Sequence, residues 1–168
     1  MKWVINMNEL VYIGYIVGTH GIKGEIKIIS DFEHKDKVFK SGFIIYINKE
    51  EFIINSYRPH QQYDMITLKG INNINEVLKY KGKDVFVKRS ALNLKENEYL
   101  LNDLIGMKVM EAKKELGKVE KIVYNNNHNL MEVLGEKRFY IPIHNNFIKS
   151  VNVATKEIEV ENAEGLMI

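Results

Sequence analysis

The stretch Thr19 to Ile28, THGIKGEIKI, constrains the fold more than any other, because it sets a glycine-punctuated turn between two runs with strand chemistry. Before it, Leu10-Val11-Tyr12-Ile13-Gly14-Tyr15-Ile16-Val17 is rich in β-branched and aromatic residues that suit a pleated, half-buried surface. After it, Glu25-Ile26-Lys27-Ile28 alternates charge with isoleucine, which predicts a strand whose isoleucines face a core while Glu25 and Lys27 face water. Gly18, Gly21 and Gly24 recur at every third position, where glycine permits a positive φ or a close backbone approach. A tight turn carrying His20 and Lys23 outward is expected.

Three ligand motifs fail on this turn. A phosphate-binding P-loop needs Lys followed by Ser or Thr and then a helix, whereas Lys23 leads into Gly24 and a strand. A dinucleotide fingerprint needs its glycines to open a helix, and EIKII has the wrong period for one. Gly21-Ile22-Lys23-Gly24 matches the GxxG clamp of KH domains, but that clamp sits between helices.

The same pattern recurs along the first half. Strands are predicted at Phe43 to Ile47, Phe52 to Tyr57, Met65 to Leu68 and Asp84 to Lys88, with breaks at Asn48-Lys49-Glu50 and Arg58-Pro59-His60-Gln61. One helix is expected to start near Asn73, where Asn73 and Glu76 have capping-box spacing, and to end at Gly82. Short strands, one helix and glycine turns point to a small closed barrel, an arrangement that removes exposed edges.

The segment RSALNLKENE interrupts the pattern, so the chain divides there: a first domain over residues 8–90, a linker over 91–98 and a second domain over 99–168. In the second half, strands are predicted at Gly106 to Met110, Leu116 to Tyr124, Leu130 to Leu134, Phe139 to Ile141, Val151 to Val153 and Glu157 to Val160, with Asn125-Asn126-Asn127-His128 as a hairpin loop. Both halves read as all-β. Met1 to Asn6 reads as a frayed tail.

Composition narrows the function classes. No cysteine is present and no apolar run approaches the roughly 20 residues that span a bilayer, so a soluble cytoplasmic protein is expected, without disulfides or membrane contact. Residues 1–90 carry 14 Lys and Arg against 10 Asp and Glu, while residues 91–168 carry 10 against 12. The first half is therefore mildly basic, a bias that suits a phosphate backbone. His20, His34, His60, His128 and His144 are scattered without metal-ligand spacing, and no nucleophile elbow is present. Neither a metal site, a cofactor nor a catalytic residue is expected.

The ordered set of motifs resembles the RimM family of bacterial ribosome maturation factors. It is carried by Gly18-Thr19-His20-Gly21-Ile22-Lys23-Gly24-Glu25-Ile26-Lys27, Lys69-Gly70-Ile71-Asn72-Asn73, Tyr99, Asp103-Leu104-Ile105-Gly106, Leu116-Gly117-Lys118-Val119, Ile141-Pro142, Phe147-Ile148-Lys149, Ile158-Glu159-Val160 and Gly165-Leu166. The resemblance implies two small β-barrels with short helices, the first similar to those of translation factors and the second a PRC-type barrel. It also implies a monomeric, non-enzymatic factor that assists assembly of the head of the 30S small subunit. Such a factor binds the nineteenth small-subunit ribosomal protein and promotes processing of 16S rRNA in the pre-30S particle.

In that family, paired tyrosines before the Asp-Leu-Ile-Gly segment are implicated in the protein contact; here the pair is Tyr99-Leu100, so the resemblance implicates Tyr99, Leu100 and Asp103. Arg58 and His60 stand on an expected loop that the family commonly makes basic and histidine-bearing, and with His20 and Lys23 they are candidates for one surface facing rRNA. Two other functions compete: an rRNA-processing or rRNA-modifying enzyme with a dispersed site, and a PRC-barrel scaffold without a ribosomal role.

Overall fold

The computed structural model describes residues 6–125 and 128–167 and divides between Asn93 and Leu94 into two compact units. Most of the expected tail, and Asn126 and Asn127 of the expected hairpin loop, lie outside the described residues.

The first unit contains β1 (Leu10–His20), β2 (Glu25–Ile29), a single helical turn α1 (Lys35–Val38), β3 (Ile44–Ile47), β4 (Glu50–His60), β5 (Tyr63–Leu68) and β6 (Asp84–Lys88). The strands form a closed barrel in the order β1-β2-β5-β4-β3-β6, every neighbouring pair antiparallel. Strand β1 closes it by pairing with β6 along its first half and with β2 along its second. The changeover falls at Gly14, where the register with β6 slips. A Cβ there would lie 2.7 Å from Ile28 Cγ2 and 2.8 Å from the Ile29 carbonyl oxygen. Only glycine lets β1 and β2 approach this closely.

The alternation read from EIKI is realised: Ile26 and Ile28 are fully buried between half-buried Glu25 and Lys27. Gly21 and Gly24 have φ of 69° and 85°. Gly24 is also a contact point, since a Cβ would sit 3.1 Å from the Asn73 carbonyl oxygen and 3.2 Å from Val77 Cγ2. Among the described residues of this unit two polar side chains are buried: Ser30, whose hydroxyl donates to the Ile13 carbonyl, and Asp64, which accepts from Lys35 Nζ and from the Tyr57 hydroxyl, each at 2.8 Å.

Two local expectations change. The helix expected from Asn73 is a pair of 3₁₀ turns, Ile74–Glu76 and Leu78–Tyr80. Asn73 does cap the first, its side chain accepting from the Asn75 N–H at 2.9 Å. The segment is tied to β1 and its turn at both ends, Ile74 N–H to the Ile22 carbonyl and Gly82 N–H to that of Ile16, both at 2.9 Å. A short span held at both ends favours the longer rise per residue of a 3₁₀ turn over an isolated α-helix, whose nucleation is costly. Second, Arg58 and His60 lie in β4 and not in a loop. Strand β3 covers only Glu50 to Ile53, so the far half of β4 has β5 as its one ladder partner among the described residues. Such an open-sided stretch tolerates Pro59.

The second unit contains a 3₁₀ turn (Leu101–Leu104), β7 (Lys108–Glu111), β8 (Lys114–Val123), β9 (Leu130–Leu134), β10 (Arg138–Pro142), β11 (Ile148–Asn152), β12 (Glu157–Val160) and a closing turn (Glu164–Leu166). Its sheet runs β10-β9-β8-β7-β12-β11, with β7 and β12 parallel. One core cluster, including Leu104, Val109, Met131, Val133, Phe139 and Ile158, draws on both ends of the sheet. Gly117 and Gly135 let β8 and the end of β9 touch: a Cβ on Gly135 would lie 2.0 Å from the Leu116 carbonyl oxygen. Glu132 faces away from the core yet is buried, because Arg138 and Lys121 pair with it.

Candidate functional site

Closure of the first barrel places β5 between β2 and β4, and this order assembles the candidate surface. On the outer face, Met65 of β5 has Lys27 as its ladder partner on one side and Arg58 on the other. Arg58 reaches over β5 to Glu25, donating from Nε to Oε2 at 2.9 Å and from Nη2 to Oε1 at 2.6 Å. Two parallel bonds orient a guanidinium as one bond cannot.

His20, at the end of β1, is the ladder partner of Glu25. The hydrogen bond from Arg58 holds the Glu25 carboxyl below the usual carboxylate range, and His20 and His60 lower it further, which puts both imidazoles within electrostatic reach. The same pair holds the Arg58 guanidinium above its ordinary value. Lys27 adds a cation, its ammonium 5.4 Å from the centre of the Tyr63 ring.

Of the four residues implicated in RNA contact, the structure therefore brings His20, Arg58 and His60 around Glu25. Lys23 is exposed on the adjoining turn, two positions before Glu25. Beside it Ile22 is 83% exposed, an apolar side chain at the tip of a basic turn. Sequence reasoning missed Glu25 as the organiser of this surface, and Lys27 and Tyr63 as members of it. The alternation that pointed Glu25 and Lys27 outward was the available signal.

In the second unit, Leu100 is buried and Tyr99 packs, partly buried, against the core. Asp103 accepts from the Leu100 N–H at 3.0 Å, while its own N–H donates to the Leu100 carbonyl at 2.9 Å. Leucine has no side-chain acceptor, so this is the carboxylate half of a capping box. Nearby surface residues not found from sequence are Ile105 and Tyr124, both exposed; the Tyr124 hydroxyl donates to Asn102 Oδ1 at 3.3 Å. His128 and His144, distant in sequence, meet edge to face at 5.7 Å. Among the described residues no group of three or more His, Asp or Glu is placed to hold a metal ion, and no helix is long and apolar enough to cross a membrane.

Comparison with known proteins gives a consistent result over both units. The family model of the RimM N-terminal domain matches residues 11–92, and that of the RimM PRC barrel domain matches residues 101–166. The Ribosome maturation factor RimM of Staphylococcus haemolyticus is 35% identical over 164 residues, covering 94% of this chain and 98% of that protein. The protein of the same name from Staphylococcus aureus strain NCTC 8325 / PS 47 gives the same identity and coverage. A crystal structure from Pseudomonas aeruginosa, described as a 16S ribosomal RNA processing protein RimM, aligns over 90% of this chain and 96% of its own, at 22% identity and a TM-score of 0.41, a likeness too loose to carry weight. With both domain models matched in order and relatives at 35% identity along nearly its whole length, the chain belongs to the RimM family.

Proposed function

We propose that this chain is a ribosome maturation factor that acts by binding in assembly of the 30S head. The first unit contacts 16S rRNA through His20, Lys23, Arg58 and His60 and promotes its processing. The second unit binds the nineteenth small-subunit ribosomal protein at the segment holding Tyr99, Leu100 and Asp103. In that segment the Asp103 carboxylate holds the Leu100 N–H and Leu100 is buried, so this reading assigns the contact chiefly to the accessible part of the Tyr99 ring. The factor works as a monomer, with no turnover and no cofactor.

The observation that supports this reading most is the outer face of β2, β5 and β4, where one carboxylate bonds Arg58 and also feels the charges of His20 and His60, with Lys27 on the same face. The Arg58–Glu25 bonds use one N–H each of Nε and Nη2, and this reading assigns the remaining guanidinium N–H donors to a phosphate. The names of the staphylococcal relatives agree with a role in ribosome maturation.

The test is binding of the full chain to a head-region 16S rRNA fragment over a range of salt. The double variant Lys23→Ala/Arg58→Ala is expected to bind more weakly, with its salt slope reduced by about 1 to 2. Unchanged affinity and slope would remove this face from the RNA contact. Incubation of that RNA with the protein alone is expected to leave its length and mass unchanged; a shortened or modified product would establish an enzyme.

A further inference from the structure

The outer face of β6, β1 and the end of β2 carries an aromatic stripe that the RNA-facing reading leaves unused. The register slip at Gly14 turns both Tyr12 and Tyr15 of β1 outward. Tyr15 has Ile29 of β2 as its ladder partner, and Tyr12 has Phe86 of β6, which in turn faces Tyr46 of β3. The Tyr12 and Phe86 rings meet edge to face at 6.0 Å. Tyr12 is 53% exposed, and Tyr15 and Ile29 are each 41% exposed. The accessible part of this band crosses β2, β1 and β6, with Tyr46 of β3 buried at its edge, and has the character of a protein-contact surface, where tyrosine combines large area with low entropic cost.

The charges around the stripe select the partner. Asp84 is the ladder partner of Tyr15, and Asp31 follows β2; both carboxylates are exposed. After burial, these two carboxylates are the next causes that push the Tyr12 hydroxyl above its ordinary pKa, so both act at the ring. At the other end, the Lys88 ammonium lies 5.7 Å from the centre of the Tyr46 ring. A single-stranded RNA could stack on the tyrosines, but its phosphates would meet Asp31 and Asp84. An arginine-rich peptide satisfies rings and carboxylates together.

We propose that the stripe of Tyr12, Tyr15, Ile29 and Phe86 docks an arginine- or lysine-rich segment of a protein partner, with Asp31 and Asp84 pairing to its cations. This site adjoins the RNA-facing surface along β2 but uses other residues and does not depend on it.

The experiment is an NMR titration of the full chain with a nona-arginine peptide, and separately with oligouridine. The peptide is expected to shift the signals of Tyr12, Tyr15 and Phe86, and Asp31→Asn/Asp84→Asn to weaken it by about fivefold, as two exposed charge pairs would. Tyr12→Ser is expected to weaken it as well, and the thermal midpoint of each variant checks that it folds. Peptide affinity unaltered by these changes, the same signals shifted by oligouridine instead, or their movement on dilution of the protein alone would each overturn the proposal.

Discussion

Glu25 and Arg58 stand 33 positions apart and meet in a two-pronged ion pair that spans β5 from β2 to β4. The pair aligns the guanidinium and also neutralises part of its charge. A phosphate arriving at Arg58 meets an arginine already shared with a carboxylate.

Glu25→Gln is therefore expected to strengthen binding of 16S rRNA and to steepen its salt slope by about one, because a full cation becomes available. Lys23→Ala should do the reverse. Salt-dependent fluorescence titrations of the two variants check both directions.

The same pair makes stability pH-dependent with a defined sign. The hydrogen bond from Arg58 depresses the carboxyl pKa of folded Glu25, so its stabilisation is fully present above the unfolded-chain value of about 4.3. It is lost as pH falls through the lower, folded value. Wild type and Glu25→Gln should differ in urea midpoint near neutrality and converge in strong acid. The difference is expected to be small and to shrink with salt, since the arginine is exposed.

Two tyrosines should ionise late. Burial, followed by hydrogen bonds to Asp64 and Glu50 respectively, pushes the hydroxyls of Tyr57 and Tyr80 up to about 12. A raised folded pKa means their contribution is intact below the unfolded value of about 10 and is lost as pH climbs toward the folded one. Spectrophotometric titration of Tyr57→Phe should show one fewer late-ionising group. The variant should also lose about 2 kcal/mol of stability, because buried Asp64 keeps Lys35 but loses a donor.

Gly135→Ala is expected to cost on the order of 3 kcal/mol, since the new Cβ would lie 2.0 Å from backbone of the neighbouring strand. Gly165→Ala, with nothing within 4 Å, should be nearly neutral. Urea unfolding of the two variants, followed by a probe in the second unit, checks the contrast.

The legible parts were those that depend on near neighbours. Alternation in Glu25-Ile26-Lys27-Ile28 announced a strand and its two faces, and the glycines after His20 announced the turn. Ordering β5 between β2 and β4 is a non-local fact, so the Glu25–Arg58 pair had no sequence signal, nor did the meeting of His128 with His144. Pro59 read as a break because local chemistry does not reveal that the far half of β4 is open on one side. Asn73 does cap the segment, through the Asn75 N–H, but the expected helix gave way to tertiary ties at Ile22 and Ile16.

Met65 is fully buried although it lies on the outside of the barrel, flanked by Lys27 and Arg58. As its ladder partners on either side, those two residues carry long aliphatic stems suited to roofing it. Loss of either cation in evolution would thus expose a hydrophobic side chain as well as remove a charge. Drift at these two positions would carry a penalty in solubility that is independent of any binding, so the basic character of this face can persist without selection for binding alone.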